Sequence, residues 1–140
     1  MSGLFLEDLA LGRSAERSRV VTAADIDAFA RVTGDENPVH LDEAYATRTR
    51  FDGRIVHGIL LAGFISAVLG NDLPGPGAIY LSQTLRFRRP VRIGDEVTAR
   101  AEVMEINQTR ARVTLRTVCT VGGEVMVDGE AVVMAPRRSV

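Results

Sequence analysis

The clearest pattern in the chain is a change of hydrophobic period about halfway along it. In the first half, the apolar residues recur at the three-to-four-residue spacing of helices. Positions 70–77, GNDLPGPG, are dense in residues that break regular structure, and they predict a loop. Beyond this loop apolar and polar residues alternate, which is typical of strands. The pattern therefore predicts helices first and a sheet afterwards.

Two helices are predicted in the first half. The first follows Thr22, which suits an N-cap and forms a capping box with Asp25, and it ends at Gly34. The second runs from Gly58 to Leu69, where nearly every residue is apolar. It should be a helix buried on most of its faces. It is too short to cross a hydrocarbon layer of about 30 Å, so no membrane association is predicted.

Four strands are predicted after the loop. Alternation marks positions 79–87 and 97–104, and a third strand places residues 111–119 in the sheet. Gly122 and Gly123 form a two-residue hairpin signal that leads into a fourth strand at 125–133. Consecutive strands beside one long apolar helix predict an α+β fold, in which an antiparallel sheet wraps around the helix. This is the hot-dog arrangement.

Length, composition and net charge predict a single domain with one hydrophobic core and no strongly charged surface. With 140 residues, of which 46% are hydrophobic and 25% charged, positions 1–140 are predicted to form one domain. A net charge of −1 argues against nucleic acid as a partner. The N-terminus resembles neither a signal peptide nor an anchor, and the lone Cys119 cannot form an internal disulfide, so the cytoplasm is predicted. Residues 137–140 are predicted to be a frayed tail.

The segment GDENPVH, positions 34–40, carries the strongest candidate chemistry. It places the carboxylate of Asp35 and the imidazole of His40 close together, directly after the predicted helix end. Such a pair can share the proton transfers of a hydration. Pro38 fixes its own φ and favours an extended Asn37, so a stiff loop is expected. Spacing alone leaves open a structural pair, in which Asp35 caps a turn and His40 packs beneath the next element.

A second candidate site lies where the apolar helix begins. The first N–H groups of a helix have no internal partner, and glycine permits a close approach, so the amide of Gly58 can bind a substrate carbonyl as an oxyanion site. The residues alone leave open a simple helix-start glycine and a packing or capping role for His57. Ser66, two turns further on, can face an acyl group or bond to its own helix.

Three stretches resemble the MaoC-like family of hot-dog proteins and, within it, the (R)-specific enoyl-CoA hydratases. They are GDENPVHLDEAYA at 34–46, FDGRIVHGIL at 51–60 and LRFRRPVRIGDEV at 85–97. The resemblance covers the chain from about Leu6 to Val133. It implies that Asp35 and His40 are the catalytic acid/base pair, with the Gly58 amide as oxyanion donor. The implied reaction is reversible hydration of a trans-2-enoyl-CoA to the (R)-3-hydroxyacyl-CoA.

The resemblance also implies partners and binding residues. It implies a homodimer or higher even oligomer with joined sheets, and an acyl-CoA thioester substrate near the subunit boundary. Guanidinium groups suit the phosphates of coenzyme A, although charges that protect an edge strand explain the same arginines at 86, 88, 89 and 92. The residues predicted to contact substrate are Asn37, His57, Ser66 and Arg86.

Other functions stay open at this stage. A 3-hydroxyacyl-acyl carrier protein dehydratase would use the same residues on another carrier. A hot-dog thioesterase is disfavoured because positions 59–69 contain none of the carboxylates that one large hydrolase branch has on this helix. A non-catalytic acyl-thioester-binding subunit is disfavoured by Asp35 and His40. No cofactor is predicted, since no phosphate loop or dinucleotide motif occurs. No metal is predicted, since His40 and His57 lack a cysteine or third histidine.

Overall fold

An antiparallel sheet of six strands forms the body of the computed structural model, which describes residues 2–138. The strands follow the order β1-β4-β5-β6-β2, and β3 also pairs with β6. A long helix, α4, packs on β1, β4 and β5. In chain order the strands are β1 (Ser14–Val20), β2 (Ile79–Gln83), β3 (Arg86–Phe87), β4 (Glu96–Asn107), β5 (Arg112–Val121) and β6 (Glu124–Met134).

Among residues 2–138, four α-helices and one short 3-10 turn, Leu6–Asp8, accompany the sheet. The helices are α1 (Ala23–Thr33), α2 (Pro38–Leu41), α3 (Glu43–Thr47) and α4 (Gly58–Asn71). None of the helices within residues 2–138 is long and apolar enough to cross a membrane. The α+β hot-dog architecture predicted from the sequence is confirmed.

The caps predicted for the first helix are confirmed. The hydroxyl of Thr22 accepts a hydrogen bond from the amide of Asp25, and the carboxylate of Asp25 accepts one from the amide of Thr22. At the other end Gly34 adopts a left-handed conformation with φ of 81°, which costs glycine little. These two caps determine where the chain leaves α1 and enters the segment that carries Asp35.

The central helix α4 is buried along one face and exposed along the opposite one, so the predicted burial of most of its faces is wrong for the single chain. Its inward residues are Leu61, Ile65, Val68 and Leu69, whereas Ile59 is 57% exposed. Gly63 and Ser66 lie exposed along the same helix. The helix also continues through Asn71, so the loop begins two residues later than its glycine suggested.

The predicted sheet is confirmed with two differences. The segment 79–87 is interrupted between β2 and β3, where the carbonyl of Thr84 lies only 1.8 Å from the position a Cβ on Gly129 would occupy. The strand β1 was not predicted, because six of its seven residues are exposed and its sequence shows no apolar alternation. The Gly122–Gly123 hairpin is confirmed, with φ of 57° and 81°.

The tail is anchored further than its composition predicted. The guanidinium of Arg137 donates hydrogen bonds to the carbonyls of Gln108 and Thr109. The amide of Arg138 donates to the carboxylate of Glu7. The predicted fraying is therefore wrong for these two residues, and Ser139 and Val140 lie outside the described residues.

Candidate active site

A single helical turn, α2, carries His40. The side chain of Asn37 caps this turn by accepting a hydrogen bond from the amide of Val39 at 3.2 Å, and Pro38 occupies its first position, where the missing N–H costs nothing. The carbonyl of Asn37 accepts from the amide of His40 at 3.0 Å. The expected stiff loop is thus a capped turn, which fixes the backbone that presents His40.

The imidazole of His40 is oriented by a backbone carbonyl. Its Nδ1 lies 2.8 Å from the carbonyl oxygen of Ile55. Because a carbonyl only accepts, Nδ1 carries a proton, and in the neutral ring Nε2 then has the lone pair. The ring is half-buried and forms part of a cavity wall. His40 therefore offers a proton acceptor to whatever occupies the cavity.

Asp35 lies next to His40. Its Oδ1 accepts a hydrogen bond from the amide of Asn37 at 3.4 Å, and the residue is exposed. Asp35, His40 and His57 each place one potential ligand atom within 4.8 Å of the others. Asp35 thus supplies the third group that the sequence argument against a metal did not count. That no metal binds stays a prediction.

The segment before α4 holds His40 from the other side. The amide of Ile55 donates to the carbonyl of Val39, and Nε of Arg54 donates to the carbonyl of His40 at 2.7 Å. Arg54 also forms an ion pair with Asp27 on α1, at 3.8 Å. Sequence reasoning missed Arg54, although it lies within the FDGRIVHGIL stretch.

His57 lies behind the pair rather than in the cavity. It is 1% exposed, and its ring stacks on that of His40 with centroids 3.9 Å apart. Its Nε2 lies 3.1 Å from the backbone carbonyl oxygen of Asp35. The ring of Phe29 also packs on it, tilted by 50°, with ring centroids 4.7 Å apart. Burial lowers the pKa of His57, so the ring is held neutral.

The buried neutral His57 should make stability fall in mildly acidic solution. Below pH 6.5, the ordinary pKa of histidine, the unfolded chain takes up a proton at His57 that the folded protein resists. The free energy of unfolding therefore decreases as the pH falls. The lowered pKa values of Asp25 and Asp72 act only below about 3.8. Urea unfolding between about pH 7.5 and 5 should give a shallower pH slope in His57→Phe than in the wild type. Equal slopes would contradict the expectation.

A cavity of about 390 Å³ opens in front of His40. Its walls are mostly apolar, and three arginines, at 50, 88 and 89, belong to its lining. This combination suits a ligand with an apolar part and an anionic part. The other lining residues are His40, Phe51, Ile55, Val56, Gly58, Ile59, Leu61, Phe87, Pro90, Val91 and Val127.

The first residue of α4 reaches this cavity through its backbone. No side chain caps the helix at His57, so the amide of Gly58 has no partner within the helix. A Cβ on Gly58 would lie 2.5 Å from the ring of Phe87, another wall residue. Glycine is therefore required here for the close approach of Phe87, and an amide without a helix partner at the cavity fits the predicted donor role.

The residues predicted to bind substrate are more dispersed than the pair. Of the four, Asn37 caps α2, His57 is buried behind His40, and neither Ser66 nor Arg86 is among the cavity residues. Their contact with substrate stays a prediction.

The arginines suggested for phosphate binding have protein partners. Arg88 pairs with Asp128 at 2.9 Å and Arg89 with Glu124 at 3.3 Å. The guanidinium of Arg92 donates to the carbonyls of Phe51 and Gly53. Arg50, which the sequence analysis did not single out, lies in the cavity wall instead.

Comparison with known proteins shows the family to which this chain belongs. The model of the MaoC like domain matches residues 9–123, most of the chain and all of its candidate catalytic residues. The chain belongs to the MaoC-like family.

Similar MaoC-like proteins cover nearly the whole chain. An (R)-specific enoyl-CoA hydratase of Rhodospirillum rubrum is 52% identical, over 96% of this chain and 93% of its own length. A 3-hydroxybutyryl-CoA dehydratase of Methylorubrum extorquens is 51% identical, over 96% and 86%. The unliganded structure of an R-hydratase from Pseudomonas aeruginosa superimposes with a TM-score of 0.92 at 45% identity, covering 97% of this chain and 88% of its own.

Proposed function

We propose that this protein is an (R)-specific enoyl-CoA hydratase, which reversibly adds water to trans-2-enoyl-CoA and gives (R)-3-hydroxyacyl-CoA. The observation that carries the proposal is the juxtaposition of Asp35 with His40, which lines an apolar cavity together with Gly58. Similarity to hydratases and dehydratases along nearly the full chain supports it.

Each site residue has a distinct part in this proposal. The Gly58 amide binds the thioester oxygen, which withdraws electrons from the double bond and makes C3 electrophilic. Water held between Asp35 and His40 attacks C3 while its proton passes to this pair, with the Nε2 lone pair of His40 as an available acceptor. A proton returns to C2 from the same side, so the addition is syn. No covalent enzyme intermediate is needed.

The cavity favours a carrier that bears phosphates. Arg50 lines it, and guanidinium groups pair well with phosphate oxygens, whereas Arg88 and Arg89 in the same wall already pair with Asp128 and Glu124. Coenzyme A is accordingly the proposed carrier, with an acyl carrier protein as the alternative for the same chemistry. Thioester hydrolysis through Cys119 is disfavoured, since burial raises the pKa of its thiol to about 12.

Hydration of crotonyl-CoA tests this function directly. The purified protein should remove the absorbance of the conjugated enoyl thioester without releasing free thiol. Coupled to an (R)-specific 3-hydroxyacyl-CoA dehydrogenase, the product should generate NADH, and an (S)-specific enzyme should generate none. Thiol release without hydration would favour the thioesterase, and an (S) product would contradict the stereochemical assignment.

The edge of the sheet supports a homodimer. Strand β2 pairs with β6 on one side, and its outer residues include Ile79, Tyr80 and Leu81, which are 55%, 40% and 39% exposed. An apolar edge strand is a surface that proteins usually cover. Joining two such edges across a two-fold axis would cover both.

Light scattering at micromolar concentration should therefore give twice the chain mass of 15.2 kDa, or an even multiple of it. Ile79→Asp should shift the population toward monomer, because it places a charge on the apolar edge. Val32→Asp is the matched control, since Val32 is 80% exposed on α1 and lies outside the sheet. A wild-type protein that runs as a clean monomer would refute the dimer.

We also propose the cytoplasm as the compartment. The single cysteine is buried and has no second cysteine to pair with in this chain, which suits a reducing environment.

A further inference from the structure

One buried side chain touches both members of the proposed catalytic pair. The Nε2 of His57 bonds to the backbone carbonyl of Asp35, and the same ring stacks on His40 with an interplanar angle of 27°. Asp35 follows α1 and His40 lies on α2, whereas His57 precedes α4. The single ring of His57 thus contacts both Asp35 and His40, although it lies on a different segment of the chain.

The hydrogen bond determines where the His57 proton resides. The carbonyl of Asp35 only accepts, so Nε2 carries the proton and donates it. Nδ1 is buried and has no hydrogen-bond partner among residues 2–138. A second proton there would be buried without an acceptor and would lie beside His40, the titratable ring stacked on it. The titratable groups that act electrostatically on His57 are Asp35 and His40.

We propose that His57 is a positioning residue for the hydration reaction, which holds the main chain of Asp35 and the ring plane of His40 so that both side chains act on one water. This inference rests on the proposed function. Without His57, two motions would be less restricted. The peptide plane that follows Asp35 could change its orientation, and the ring of His40, held by one hydrogen bond to the Ile55 carbonyl, could tilt about that hydrogen bond.

The proposal differs from two simpler roles of a buried histidine. A substrate contact would place His57 on the cavity wall, whereas it is 1% exposed and lies behind His40. A purely structural role would lower stability when His57 is changed and would leave turnover of the folded fraction intact. A positioning role lowers kcat of folded enzyme and leaves KM nearly unchanged, because no binding contact is lost.

Two substitutions separate the two contacts. His57→Phe keeps an aromatic ring against His40 and removes the donor to Asp35. His57→Gln keeps a donor near the place of Nε2 and removes the stacked ring. Since displacements of about 1 Å can cost about 10²-fold in rate, each should lower kcat by about 10- to 100-fold with KM within about threefold. The double change Asp35→Asn with His57→Phe should be no slower than Asp35→Asn alone.

A core variant supplies the matched control for stability. Val113→Ala removes buried volume from β5, away from the cavity walls, and should lower the unfolding midpoint with kcat within about twofold of wild type. Nitrogen NMR adds a signature: His40 should show the Nδ1–H form in wild type and Val113→Ala, and mixed forms in His57→Gln. In unmutated protein, His57 itself should show a neutral Nε2–H ring.

The outcomes are separable. Folded His57 variants with kcat within about twofold of wild type would overturn the positioning role, as would a Val113→Ala variant with an equal loss of kcat. If neither His57 variant folds, a wild-type His57 that carries its proton on Nδ1, or is doubly protonated at neutral pH, overturns it. Failure of the proposed function is different: wild type would not hydrate enoyl-CoA, or Asp35→Asn and His40→Gln would leave hydration intact.

Discussion

Asp35→Asn and His40→Gln should each lower the rate of enoyl-CoA hydration by about 10²–10⁴-fold, the usual value of one positioned proton-transfer group. Asparagine can still accept the bond from the Asn37 amide, and glutamine has about the length of the imidazole, so the fold should persist. The change should appear in kcat, with KM little altered, because neither group supplies the main binding surface. Stopped-flow or steady-state absorbance at the enoyl thioester band measures it.

The double variant tests whether the pair acts on one water. It should be barely slower than the slower single variant, because loss of either group already removes the shared function. Glu36→Gln is the control, since Glu36 is an exposed neighbour outside the cavity walls and its substitution should leave the rate unchanged. Losses that multiply in the double variant would show independent action. A single variant with near-normal kcat would remove that residue from the pair.

Removal of the Gly58 amide proton should lower kcat by about 10²–10³-fold, as for other oxyanion donors. Proline deletes this proton, and the first position of a helix accepts proline. The preceding His57 has φ of −58° and ψ of 127°, an extended ψ that proline permits in its neighbour. A side chain at this position meets Phe87, so the test is made with Phe87→Ala present.

The matched pair is Gly58→Pro and Gly58→Ala, each combined with Phe87→Ala. The alanine version keeps the amide proton and adds a Cβ, so it reports the steric cost alone. The ratio of the two kcat values isolates the donor. Equal turnover in the two enzymes would show that the thioester oxygen is not bound by this amide, even if both are slower than wild type.

Much of the fold was predictable because the sequence states its local geometry clearly. The capping box joins Thr22 and Asp25, three positions apart, and Gly34 ends the same helix twelve positions after Thr22. Both signals are therefore local in the sequence. The Gly122–Gly123 hairpin needs positive φ at two positions, which glycine supplies. Strand β1 was not predicted, because its partner β4 lies some eighty residues away and an exposed edge strand needs no apolar alternation.

The candidate site was predictable in its reacting groups and not in their support. Asp35 and His40 are neighbours along the chain, so spacing suggested their proximity. The burial of His57 and the bond from Arg54 to the His40 carbonyl arise only when the segment before α4 folds back on α2. A histidine or arginine letter does not reveal whether its polar atoms meet substrate or a carbonyl of the same chain. The bonds from Arg92 to the carbonyls of Phe51 and Gly53 also depend on this long-range folding.

The hydrogen bonds of Arg92 hold one wall of the cavity in place, and this affects the rate of ligand binding. Its guanidinium is engaged with the carbonyls of Phe51 and Gly53, and its amide donates to the carboxylate of Asp95 at 2.8 Å. The loop that supplies Phe51 is thus tied to the turn before β4 in the free protein. A wall assembled before encounter pays no ordering entropy during association. Capture should then proceed in one kinetic phase, with a rate governed by diffusion and orientation rather than by loop closure.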